Sequence, residues 1–112
     1  MIHFEKLDVY QVSIQFVAAA VAISEQVPKG YAALADELRR AAWSIPLNIA
    51  EGVGKPSAPD QARFHAIARG SAMECGAILD VVNVLQVSAP PELARAKHLI
   101  VRIVEMLTKM CR

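Results

Sequence analysis

Apolar residues return every three or four positions through four long stretches of the chain, and nowhere do they alternate as strands require. The clearest stretch lies near the C-terminus, where Leu93, Ala96, Ile100, Ile103, Leu107 and Met110 keep a 3-4-3-4-3 spacing. In the first stretch Leu7, Tyr10, Ile14, Val17 and Val21 form one row, and Val9, Val12, Phe16, Ala20 and Ile23 form a second beside it. The second stretch carries Leu34, Leu38, Ala41, Ile45 and Ile49; the third carries Phe64, Ile67, Ser71, Cys75, Ile78, Val82 and Leu85. Breakers separate them: Pro28-Lys29-Gly30, Gly54 through Asp60, and Ser88-Ala89-Pro90-Pro91.

The spacing predicts helices over about 4–27, 32–53, 59–87 and 91–111 within a single domain spanning 1–112. Ser57 and Ser88 are the expected N-caps of the last two. Pro46 falls inside the second helix and is expected to kink it. Short connections place neighbouring helices antiparallel, so the expected fold class is all-α, an up-down-up-down four-helix bundle. At 112 residues the chain holds one ordinary domain, and 54% hydrophobic against 21% charged residues exclude a disordered chain.

This bundle has more apolar surface than one core absorbs. A bundle helix needs an apolar stripe over about three positions in seven. The first helix has two stripes, the third adds Val81, Val84 and Val87, and the fourth adds Leu99, Val101, Val104 and Met106. Soluble monomers seldom expose large contiguous apolar patches, so self-association into a homo-oligomer is expected. The longest apolar run, Phe16 to Ile23, is far short of the roughly 20 residues a membrane span needs, so no membrane partner is expected. Cys75 and Cys111 make no disulfide framework and read as buried free thiols of a cytoplasmic protein.

Signatures of an enzyme are missing. His65 and His98 have no carboxylate three or four residues away, as a di-iron bundle would require. His3 lies near the N-terminus, and each histidine is expected at the surface or between helices. Nothing resembles a zinc or phosphate-loop pattern. No catalytic residue, metal or cofactor is therefore expected.

The polar residues are more informative. Arg40, Ser44, Asn48 and Glu51 recur at helical spacing on one face of the second helix, and Arg69, Ser71 and Glu74 lie among core positions of the third. One reading is an interhelical polar network, with Arg40 against Glu74 or Arg69 against Glu51, and with Asn48 and Ser71 satisfying backbone opened by Pro46. The other is a ligand groove, using Arg39, Arg40 and Arg69 for phosphate or Arg40, Asn48, Glu51 and Glu74 for a small molecule. Charge is uneven: residues 1–28 carry Lys6 against three carboxylates, while residues 92–112 carry Arg95, Lys97, Arg102, Lys109 and Arg112 against Glu92 and Glu105. The basic residues of the last helix are expected on its solvent side. Net charge is only +1, so nucleic-acid binding would rest on a local strip multiplied by assembly.

The chain resembles the bacterial four-helix-bundle family named after the 23S ribosomal RNA intervening-sequence protein. The resemblance rests on Phe4-Glu5-Lys6-Leu7-Asp8-Val9-Tyr10, Leu38-Arg39-Arg40-Ala41-Ala42, Ser44-Ile45-Pro46, Asn48-Ile49-Ala50-Glu51-Gly52 and Ile67-Ala68-Arg69-Gly70-Ser71-Ala72-Met73-Glu74. Glu37 stands where members often have Gln, and the basic residue common after the Glu-Gly pair is displaced to Lys55. The resemblance implies a homo-oligomer, with ring-shaped pentamers among relatives, and RNA as a partner in a related branch that assists reverse transcriptases; no enzymatic activity is established for the family. The leading expectation is a non-enzymatic oligomer touching RNA phosphates through Arg39, Arg40, Lys55, Arg69, Arg95, Arg102 and Lys109. The alternative is a protein–protein scaffold without nucleic-acid contact.

Overall fold

The computed structural model describes residues 2–111. Among these there are four α-helices and no strand: α1 Asp8–Gln26, α2 Ala32–Val53, α3 Ala58–Leu85 and α4 Pro90–Met110, with short 3-10 turns at His3–Lys6 and Lys29–Tyr31. The helices form a four-helix bundle. Each packs on its neighbours in sequence and α1 closes on α4, while the backbones of the diagonal pairs α1/α3 and α2/α4 come no closer than 8 Å between Cα atoms. The bundle measures 44 × 23 × 21 Å, the long edge being close to the ~42 Å of a 28-residue helix. No helix among the described residues is long and apolar enough to cross a membrane.

Helix boundaries follow local chemistry. The first helix begins later than its pattern suggests. Leu7 is extended (φ −76°, ψ 131°) and separates α1 from the 3-10 turn. That turn is held by the Ile2 amide donating to Glu5 Oε1 at 3.2 Å and by Gln11 Nε2 donating to the Glu5 carbonyl at 2.6 Å. Val27 is extended ahead of Pro28, as the residue before a proline tends to be, so α1 stops at Gln26. The limits of α2 are those its sequence predicts. It runs unbroken through Pro46, which is buried. Ser57 caps α3 as expected, its hydroxyl accepting from the Asp60 amide at 3.3 Å. That helix ends at Leu85 rather than Val87, because Gln86 turns left-handed (φ 55°, ψ 42°). Ser88 does not cap α4. Its hydroxyl donates to Gln26 Oε1 at 2.7 Å, the Ala89 amide donates to the same oxygen at 3.1 Å, and Ala89 occupies the cap position ahead of Pro90 and Pro91. The end of α1 thereby ties down the α3–α4 connection.

All four helices feed one core, in which Phe16, Ile23, Leu38, Ile45, Ile49, Leu79, Ile103 and Leu107 are completely or almost completely buried. Of the two rows on α1 only the second is core; Ile14 of the first is 43% exposed. On α3 the buried face is rotated from the predicted one. Ala68, Ala72 and His65 point inward with Cys75, Leu79 and Val82, and Ile67 lies outside. Leu99, expected as surplus, is buried, and Val104 and Met106 are half-buried against the core. The surplus that remains is still large: Leu47 is 65% and Val84 79% exposed, with Trp43, Ile67, Met73, Val81 and Val101 also exposed.

Candidate nucleic-acid interface

Two of the predicted polar groups meet across the α2/α3 seam. Arg40 Nη2 donates to Glu74 at 3.0 Å and to Glu37 at 2.9 Å. Hydrogen bonding to Arg40 holds Glu37 below the usual carboxylate range, while hydrogen bonding with Glu37 pushes the Glu74 carboxyl up. One turn on, the Ser44 and Ser71 hydroxyls are 2.9 Å apart, and Asn48 Nδ2 donates to the Ser44 carbonyl at 2.8 Å and to its hydroxyl at 3.0 Å. Proline 46 removes the amide that would bond the Ala42 carbonyl. Asn48 therefore does not fill the gap that proline opens; it reinforces the next turn.

Arg69 and Glu51 are not brought together. Arg69 Nε donates to Thr108 Oγ1 of α4 at 2.8 Å. Glu51 is exposed and has no hydrogen-bond partner among the described residues. The reason is rotation: two residues on a helix differ by about 200°, so Arg69 faces α4 while Ser71 faces α2. Arg39 likewise turns away from Arg40. It donates to Ser24 of α1 at 2.9 Å and pairs with Asp36.

The seven basic candidates consequently do not form one patch. Arg39 lies at the α1/α2 seam, Arg40 at α2/α3 and Arg69 at α3/α4. Lys55 sits in the α2–α3 connection with Nζ 5.0 Å from the Phe64 ring, which Arg63 also approaches at 4.5 Å. Sequence spacing gave no sign of Arg63 in this cluster, because the irregular loop intervenes. Lys97, expected in solvent, instead folds over α3, pairing with Asp80 and donating to the Gly76 carbonyl at 3.4 Å.

Arg95, Arg102 and Lys109 are different. All three are exposed on α4 and none has an ion-pair partner among the described residues. They repeat every seven residues, which returns them to nearly the same face over about 21 Å. Glu105 turns aside toward the α3/α4 groove, and Glu92 lies with Arg95 beside α1.

Two further residues went unmarked as a pair. His65 is 7% exposed and its Nε2 has no hydrogen-bond partner. It abuts Gly52 of α2, where a Cβ would lie 2.9 Å from His65 Nε2 and 3.1 Å from Phe64 Cβ. Glycine is thus what lets α2 and α3 close at this level. A glycine still within the helical pattern, ahead of the Gly54 breaker, was the available signal.

No group of three or more His, Cys, Asp or Glu among the described residues could hold a metal ion. The Cys75 thiol is pushed up to about 12 by burial, and Cys111 is half-buried rather than buried; both are free. A thiol so raised is almost wholly protonated at neutral pH and is a poor nucleophile.

Comparison with curated proteins finds no match. The family model for the 23S rRNA-intervening sequence protein matches residues 5–109. That match spans all four helices, including α4, where the sequence alone carried only general likeness. The chain belongs to the 23S rRNA-intervening sequence protein family.

Proposed function

We propose that this protein is a non-enzymatic, cytoplasmic, homo-oligomeric bundle that holds nucleic-acid phosphates along the outer face of α4. The observation that carries the reading is the unpaired row of Arg95, Arg102 and Lys109. Such a row can meet phosphate with no ion pair to break first among the described residues, and assembly would present several rows at once. Arg39, Arg40 and Arg69 leave the binding set, because their donors are already engaged within the bundle. Lys55 with Arg63 remains a secondary contact beside Phe64.

Up-down-up-down topology is part of this reading. Partners across α2/α3 run in opposite directions: Arg40 with Glu74, Ser44 with Ser71, Gly52 with His65. Across α3/α4, Lys97 meets Asp80 and Thr108 meets Arg69. Oligomerisation is supported by the exposed Leu47 and Val84 and their apolar neighbours. A ring is one closed form that such heterologous faces can take.

Filter binding of structured RNA across a salt series tests the reading. Wild type should lose affinity steeply with salt, and the triple variant R95A/R102A/K109A should bind at least ~10-fold more weakly with a shallower slope. Equal binding by the two proteins would discard α4 as the contact face. A second reading, a scaffold for another protein, is favoured by the apolar α3/α4 groove lined by Met73, Ala77, Val101 and Val104. Partners retained from nuclease-treated lysate, and lost on a charge substitution in that groove, would favour it over the first.

A further inference from the structure

We propose that the exposed ridge of α2 bearing Trp43 and Leu47 docks into the α3/α4 groove of a second copy of this chain. This rests on the homo-oligomeric function proposed above and names the two surfaces that meet. The receiving surface is an open groove of about 410 Å³, walled by Met73, Gly76 and Ala77 of α3 and by Val101 and Val104 of α4. That volume lies in the ~300–1,000 Å³ range that bound groups fill. Gly76 deepens the groove. A Cβ there would meet only Ile100 Cγ2, at 3.9 Å, which is ordinary contact. The approach of α3 to α4 therefore does not require glycine, although glycine inside a helix costs about 1 kcal/mol against alanine.

The ridge has the form such a groove takes. Trp43 and Leu47 stand one turn apart on one face of α2, and both are exposed. Two large apolar side chains four residues apart are the anchors by which a helix lies in an apolar groove. They cannot fill the groove of their own chain. The α2 helix packs on α1 and α3, and its Cα atoms stay more than 8 Å from those of α4. One chain thus carries an apolar ridge and an apolar groove on different faces, and a second copy covers both. Such a contact is heterologous, and repeated it closes into a ring or runs on as a filament.

Charge sets the direction of docking. The Lys97–Asp80 pair closes one end of the apolar groove. At the other end lies Glu105, which has no ion-pair partner among the described residues. On the ridge Glu51, exposed and likewise unpaired, follows Leu47 by one turn. With α2 antiparallel to the receiving α4, Glu51 arrives beside Lys97. That ammonium has three donors and uses two within its own chain, toward Asp80 and the Gly76 carbonyl. The reverse direction would set Glu51 against Glu105, like charge on like. Arg95, Arg102 and Lys109 do not line the groove, so docking leaves the basic row of α4 uncovered.

Complementation between two full-length variants tests the pairing. L47D has a spoiled ridge and a sound groove, and V101D has the reverse. Both positions are exposed, so circular dichroism should show wild-type helical content. Light scattering at high micromolar concentration should report a single chain for each variant alone. Mixed in equal amounts they should form a two-chain particle, because one sound ridge and one sound groove remain. Variants that stay assembled alone, or stay single on mixing, overturn the pairing, while an assembled wild type keeps the homo-oligomeric reading. A single-chain wild type overturns both. Should V101D or L47D not fold, A77D on the facing wall and W43E on the ridge take their places.

Discussion

At the scale of single residues, Gly52 and Gly70 are the sharpest pair. Both lie inside helices, where alanine is normally favoured by about 1 kcal/mol. At Gly70 a Cβ would meet nothing within 4 Å, whereas at Gly52 it would strike His65 and Phe64. Gly70→Ala should therefore raise stability by up to ~1 kcal/mol, and Gly52→Ala should lower it by about 1–3 kcal/mol through overpacking. Urea unfolding of the two variants checks both signs; a stabilised Gly52→Ala would mean that the α2/α3 approach is not as close as described. The residue scale is also where the sequence was hardest to read. Arg40 with Glu74, and Ser44 with Ser71 and Asn48, were legible because helical spacing places them on facing rows. Arg69 was grouped with Ser71 and Glu74 by proximity along the chain, although a two-residue step points it at a different helix. The His65–Gly52 contact needs the register between α2 and α3, which no spacing within either helix supplies.

At the scale of elements, helices announced themselves through period and breakers, and their ends did so only where the terminating chemistry was conventional. Ser57 and Pro28 are signals of that kind, and the ends they mark lie within a residue or two of expectation. The close of α3 gave no signal, because the left-handed position that glycine or asparagine usually fills is held by Gln86. A non-glycine residue there carries a conformational cost of about 1 kcal/mol. Gln86→Gly should raise the midpoint of thermal unfolding by several degrees, and an unchanged or lower midpoint would show that Gln86 makes compensating contacts. Ser88 misled for the opposite reason. It has the chemistry of a cap, but Gln26 of α1 captures its hydroxyl and the neighbouring amide from 62 and 63 residues away in sequence. Such a long-range tie is invisible to any local rule. It also fixes the α3–α4 connection, and with it the start of the helix that carries Arg95, Arg102 and Lys109.

For the whole molecule, the leading question is what covers its apolar exterior. The four-helix bundle was legible from periodicity, and so was the excess of apolar surface, although folding absorbs part of it: Leu99 goes fully into the core and Met106 partly. What stays outside is spread over three helices, with Met73 and Val101 sharing the α3/α4 groove. Trp43 and Leu47 are on α2, Met73, Val81 and Val84 on α3, and Val101 on α4. Burying an exposed leucine or valine is worth about 1.5–3 kcal/mol each, enough for several together to hold copies in place against the entropy of association. Replacing Leu47 and Val84 by Asp should leave the helical content intact, since neither belongs to the core, and should shift the protein toward a single chain. Under the proposed function the basic rows of α4 would act on RNA through such an assembly, so the dissociated double variant should then also bind RNA more weakly. Light scattering coupled to gel filtration, on the unmodified chain at micromolar concentration, tests the account most directly. It predicts a folded particle whose mass is two or more times 12.2 kDa, reduced by the Leu47 and Val84 substitutions. A folded, stable particle of 12.2 kDa would contradict it.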